Sequence, residues 1–163
     1  MPADTSSRTG TAFAVSRVGP NDLDALTRLF DAYRVFYGQT SDEALARGFL
    51  RERLDRDESV ILLARATTRT EAPGFTQLYP SFSSVSACRI WILNDLFVEP
   101  AARRRGVARA LLDAARDFAR GTHALRLVLE TAESNRAAQA LYESLGYVRE
   151  NGNRHRHYAL GLG

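Results

Sequence analysis

Arg103, Arg104 and Arg105 run straight into Gly106, Val107, Ala108 and Arg109, between Pro100 and an apolar helical stripe. A strand end, a tight turn and a helix mouth leave backbone N–H groups without partners, because the first turn of a helix offers them no acceptor. The helix dipole adds positive charge at the same end, so the segment from Asp95 to Leu112 is suited to cradling phosphate. Gly106 and Ala108 let a ligand approach, and Arg103, Arg104, Arg105 and Arg109 add charge and paired donors for phosphate oxygens. The plain alternative is an exposed basic first turn. Against it, a cation at a helix N-terminus costs about 0.3–1 kcal/mol unless an anion compensates. Neither the P-loop pattern nor the dinucleotide fingerprint Gly-x-Gly-x-x-Gly is present.

Other chemistry is poorly supplied. All 22 basic residues are arginine and lysine is absent, so no side-chain amine is at hand as a base or Schiff-base nucleophile. The single cysteine, Cys88, excludes an internal disulfide and a thiolate zinc site, and reads as a small strand residue. His155 and His157 alternate onto one strand face, but His123 is distant in sequence and no thiol accompanies them, so no metal is predicted. The net charge of +3 is modest, and the one dense basic run is better used on a phosphate ligand than on nucleic acid.

These residues need a scaffold, and 163 residues make one domain, since a domain typically holds about 100–200. Apolar residues at 45% and charged residues at 25% describe an ordinary globular chain. No apolar run approaches the roughly 18 residues that span a bilayer, and the polar start lacks a signal-peptide core, so a cytoplasmic protein with no membrane partner is expected. Residues 1–11 read as a disordered tail and 12–163 as a single domain.

Ala12 to Val18 is the first strand, and Gly19-Pro20-Asn21-Asp22 turns it into a helix that ends near Tyr37 at Gly38. Thr40 with Glu43 forms a capping box for a second helix carrying Leu45, Phe49 and Leu54. Ser59 to Ala66 and Phe75 to Tyr79 make a hairpin, Ser81 to Ser86 a loop, and Cys88 to Val98 a further strand. A long helix starts near Arg103, with Val107, Ala110, Leu111, Ala114, Ala115 and Phe118 on one stripe, and Gly121 ends it. Leu125 to Thr131 is a strand, Ala138 to Leu145 mark a helix, and Tyr147 to Arg149 with Arg154 to Leu160 form a terminal hairpin. The order is β-α-α-β-β-β-α-β-α-β-β.

Arg103 to Ala108 resembles the Arg/Gln-x-x-Gly-x-Gly/Ala signature of the GNAT superfamily of N-acetyltransferases. Asn135 to Tyr147 is similar to the family's Asn-x-x-Ala-x-x-Leu-Tyr-x-x-x-Gly-Phe/Tyr element and lies downstream in the right order. The resemblance covers residues 12 to 160. It implies an α+β (α/β) GNAT fold, a mixed central sheet of about seven strands flanked by about four helices.

The resemblance further implies acetyl-CoA as donor, with its pyrophosphate on the amides from Arg104 to Arg109 and its arm flanked by Leu96, Phe97 and Val98. Asn135 would bond that arm. Tyr142 would protonate the departing thiolate, although helical spacing alone reads it as a core aromatic. An ammonium acceptor must lose a proton, and Asp95 and Glu130 are the candidate bases. Asp95 is equally readable as a structural carboxylate, and Glu130 as a partner of a helix terminus. Asn94 stands where diamine acetyltransferases carry Glu, and with Asp95 would lie beside the acceptor. Tyr33, Phe36, Tyr37, Gly38 and Tyr79 would wall the acceptor site, or pack beneath the helices. The family also implies a homodimer or higher homo-oligomer. A non-catalytic acyl-CoA-binding regulatory protein is the alternative.

Overall fold

The computed structural model describes residues 13–67 and 71–150. Contacts group the chain into two compact units, Met1–Glu130 and Thr131–Gly163. The first holds β1 (Phe13–Arg17), α1 (Leu23–Phe36), α2 (Glu43–Asp55), β2 (Val60–Ala66), β3 (Gly74–Ser83), β4 (Cys88–Val98), α3 (Val107–Gly121) and β5 (Leu127–Leu129). The second holds α4 (Arg136–Ser144). Short 3-10 turns at Pro20–Asp22 and Pro100–Ala102 lead into α1 and towards α3.

The strands form one mixed sheet in sequence order, antiparallel from β1 to β4, with β5 added parallel to β4. The run Val60 to Ala64 is buried throughout because helices cover both faces of β2. On one face Leu26, Leu29 and Phe30 of α1 and Ala46 and Leu50 of α2 pack on Ile61, Leu63, Phe75 and Phe97. Each such large side chain contributes about 1.5–3 kcal/mol by leaving water, an upper estimate because unfolded chains are partly collapsed. On the other face α3 buries Val107, Leu111, Leu112, Ala115 and Ala119. Gly74 marks how tightly α3 sits: a Cβ there would meet Phe97 O at 2.6 Å and Val107 Cγ1 at 3.2 Å. Trp91 stacks edge-on against Phe118 at 5.0 Å and donates through Nε1 to Thr122 Oγ1 at 2.8 Å.

A bulge interrupts the β3–β4 ladder. Gln77 pairs with Asp95, and the next residue, Leu78, pairs with Leu93, so Asn94 is an extra residue on β4. Side chains alternate along a strand, so the extra residue reverses which face odd-numbered positions take. Trp91 and Leu93 therefore face α3, while Asp95 and Phe97 face α1 and α2. The β4–β5 ladder ends at Leu93 and Leu129, and Leu96, Phe97 and Val98 run on beyond it.

Several expectations are corrected. Five strands form among the described residues, where the sequence suggests about seven for the whole chain, one of them beyond residue 150. Tyr147 to Arg149 is not a strand: Gly146 N–H bonds Glu143 O at 3.0 Å and Tyr147 N–H bonds Tyr142 O at 3.1 Å, committing this segment to the cap of α4. Arg154 to Leu160 lies outside the described residues, as do His155, His157 and Ala12. The Ser81 to Ser86 loop is shorter, because β3 continues to Ser83, with Ser81 opposite Ile90. Pro80 is tolerated there since β2 pairs with β3 no further than Leu78, leaving that edge without a donor requirement. Asp42, not Thr40, caps α2, its Oδ1 accepting from Leu45 N–H at 2.9 Å. Helix α3 starts at Val107 rather than near Arg103, and β5 spans less than Leu125 to Thr131.

Candidate active site

The bulge delivers Asp95 to a buried position, 4% exposed, on the α1 side of the sheet. Gln77 Nε2 donates to Asp95 Oδ2 at 2.7 Å and Asn94 Nδ2 donates to Oδ1 at 3.0 Å. The Tyr33 phenol lies close enough to the carboxylate to be held protonated by its charge. Thr76 Oγ1 donates to the Asp95 carbonyl at 2.8 Å, which fixes the backbone beneath. Every side-chain donor on this carboxylate is neutral, and among the described residues no arginine or histidine pairs with it.

The phenols around it are held protonated. Burial, then the hydrogen bond and charge of Asp95, raise Tyr33 above the ordinary phenol range. Burial and the Asp95 charge push Tyr79 up to about 12, with Arg53 and a hydrogen bond from Gln77 acting the other way.

The aromatic wall divides in two. Tyr33 belongs to the core, its ring 6.0 Å from Phe75 and 6.2 Å from Phe97. Phe36 and Tyr37 are 62% and 67% exposed, and continue the stack outward, Tyr37 at 5.0 Å from Tyr33 and Phe36 at 5.3 Å from Tyr37. Gly38 follows at φ 84°. Behind it the Asp31 carboxylate clasps the α1–α2 connection, accepting from Ser41 Oγ at 2.6 Å and Asp42 N–H at 2.8 Å. The Ser41 hydrogen bond, then that of Asp42, holds Asp31 below the ordinary carboxylate range.

The turn after β4 is shaped by its backbone. Arg103 is extended, Arg104 takes φ 60°, and Gly106 takes φ 87° as N-cap of α3, a conformation glycine adopts without steric cost. The first bond of α3 runs from Ala110 N–H to Gly106 O at 3.0 Å, so the N–H groups ahead of it have no acceptor inside the helix. No acidic residue lies in this first turn, a Cβ on Gly106 would meet nothing within 4 Å, and Arg104, Arg105 and Arg109 are exposed. Arg103 Nε donates to Val98 O at 3.1 Å, and Arg105 lies over the Phe13 ring at 5.8 Å. An open mouth of this charge and geometry suits a diphosphate.

In the second unit, Asn135 Oδ1 accepts from Ala138 N–H at 3.2 Å and so caps α4. Tyr142 is half-buried with its ring 5.9 Å from Tyr147. Glu130 is exposed, one residue past β5. Among the described residues no three His, Cys, Asp or Glu side chains converge as metal ligands. Cys88 Sγ donates to Ser86 O at 2.8 Å. No described helix is long and apolar enough to cross a membrane.

Gln77 and Thr76 escaped the sequence reading. The available signal was polarity out of pattern, two hydrogen-bonding side chains in the middle of Phe75-Thr76-Gln77-Leu78, but their partner follows only from the ladder register.

A sheet that passes through β4 and a cationic turn into α3 is an acetyltransferase arrangement, and residues 23–147 match the family described as "Acetyltransferase (GNAT) family". The chain belongs to this family and is an acyltransferase enzyme. It is 49% identical over 142 residues to "Uncharacterized N-acetyltransferase YhfO" of Bacillus subtilis (strain 168), covering 87% of this chain and 93% of that protein. It is 34% identical over 126 residues to a "Probable acetyltransferase" of Haemophilus influenzae, covering 77% and 84%. A solved structure titled "Crystal structure of a probable acetyltransferase" superposes with TM-score 0.84 at 44% identity, covering 92% of this chain and 98% of that one.

Proposed function

We propose that the chain transfers the acetyl group of acetyl-CoA directly to a primary amine, without a covalent enzyme intermediate. Bound acetyl-CoA supplies the acetyl group as a thioester. The amides from Arg104 to Arg109 and the exposed guanidiniums hold its pyrophosphate. Leu96, Phe97 and Val98, beyond the last β4–β5 pair, flank its arm, and Asn135 bonds it. Asp95 takes the proton of the attacking amine, directly or through water, while Asn94, Tyr33, Phe36, Tyr37 and Tyr79 line the acceptor site. Glu130, being exposed, is the less suitable base. Tyr142 supplies the proton that the departing sulfur takes; a phenol of ordinary pKa about 10 is a matched acid for that partner. A homodimer or higher oligomer, a cytoplasmic location, and no nucleic-acid or membrane partner complete the reading.

The observation that carries it is Asp95, a carboxylate 4% exposed and held by neutral donors alone, so that its charge is left for a cationic partner. The test is thiol release from acetyl-CoA with a panel of amines: a diamine, an aminoglycoside, a lysine ester and a peptide with a free N-terminus. Acceptor-dependent release with one class supports the reading. Calorimetric binding of acetyl-CoA with no acceptor-dependent release overturns it.

A further inference from the structure

We infer that Gln77 is a positioning residue for the transfer reaction, its side-chain amide setting the plane in which Asp95 presents its carboxylate. The inference rests on the reading of Asp95 as the group that meets the acceptor amine.

Gln77 is fully buried, at 0% exposure, in a strand whose neighbours Phe75 and Leu78 are also fully buried. Its place in the ladder is directly opposite Asp95, at the last pair before the register shift. From there Nε2 reaches Asp95 Oδ2 at 2.7 Å, while Asn94 Nδ2 holds Oδ1 at 3.0 Å. One amide on each oxygen fixes the carboxylate against rotation. Both amides are neutral, so neither competes with a cationic amine as an arginine would.

The other end of the amide shows the cost. Gln77 Oε1 is buried with no hydrogen-bond partner. An orphaned buried acceptor is unfavourable, and an apolar residue of similar volume would avoid it. What the amide gives in return lies on its Nε2 side, where it bonds Asp95.

The test is Gln77→Met in the full chain, assayed beside wild type with the amine that gives the fastest thiol release. Expected are a cooperatively folded variant, an unchanged KM for acetyl-CoA, and kcat/KM for the amine reduced by about tenfold or more. A kcat/KM equal to wild type overturns the inference. So does an activity loss that falls on the acetyl-CoA KM as much as on the amine and tracks a lowered midpoint, which marks a merely structural role. If wild type releases no coenzyme A with any amine, the functional reading fails separately, and crystal structures of wild type and variant decide the positioning. An Asp95 carboxylate turned from its wild-type plane supports it; an unmoved one overturns it.

Discussion

The Arg103 guanidinium lies over the ring of Phe36, 5.4 Å from its centroid, and so joins the turn before α3 to the last residue of α1. The same side chain holds the Val98 carbonyl through Nε at 3.1 Å. Arg103 is thus engaged by a ring and a carbonyl and Arg105 by the Phe13 ring, whereas Arg104 stands exposed on the turn.

Arg103→Ala should therefore act chiefly on the acceptor. An exposed cation–π contact is worth about 0.5–1 kcal/mol, which corresponds to about a two- to fivefold rise in the amine KM. Arg104→Ala should instead weaken coenzyme A binding, with the difference from wild type shrinking as salt is raised. Steady-state kinetics and calorimetry at two ionic strengths separate the two.

Gly106 allows backbone and charge effects to be read apart. With φ 87° and open space around a Cβ, Gly106→Ala costs only the left-handed conformation, about 1–2 kcal/mol in a urea titration. Gly106→Asp adds a carboxylate at the helix mouth, which the dipole favours by about 0.3–1 kcal/mol. The Asp variant should be the more stable of the two and the weaker in coenzyme A affinity, by about tenfold or more if a diphosphate sits there.

Tyr142→Phe keeps the ring against Tyr147 and removes only the hydroxyl. Loss of a general acid lowers kcat by about a hundredfold, with coenzyme A affinity unchanged. Turnover equal to wild type at saturating acetyl-CoA removes Tyr142 from the scheme.

Alkaline stability should report the phenols beside Asp95. Tyr79 titrates at about 12 when folded, and near 10 in model peptides. Between those values the unfolded chain sheds a proton that the folded chain keeps, so stability falls as pH rises through the window. Tyr79→Phe should flatten this fall in urea midpoints measured at pH 9, 10 and 11.

The Asp31 clasp acts in the acid range with the opposite sign. Its carboxyl lies below its ordinary value of 3.8, so its contribution is present above that pH and lost as pH falls through the folded value. Ser41→Ala removes one bond to it, costing about 0.5–1.5 kcal/mol at pH 7. The deficit should shrink in urea titrations below pH 3.8.

Periodicity made much of this scaffold legible. The stripe Val107, Leu111 and Ala115 marks α3, and the apolar run Val60 to Ala64 marks the central strand β2. The basic turn after β4 was legible too, although its helix starts four residues later than periodicity suggests: Arg103 to Gly106 are compatible with a helix in type, and the extended Arg103 with the positive φ at Arg104 and Gly106 excludes them. Asp95 was visible as a carboxylate near a strand end, but its surroundings were not. Nothing in Trp91-Ile92-Leu93-Asn94-Asp95 announces a bulge, because Asn fits a regular strand or an irregular one. The facing pair Gln77 and Asp95 exists only once a non-local register is chosen.

That one supernumerary residue could be lost without turning the strand over. Removing Asn94 would join Leu93 directly to Asp95 as ordinary neighbours opposite Leu78 and Gln77, with Asp95 and Phe97 still facing α1 and only the Asn94 bond to the carboxylate gone. Shortening β4 at this one position should therefore leave inside and outside where they are and cost chiefly the grip on Asp95.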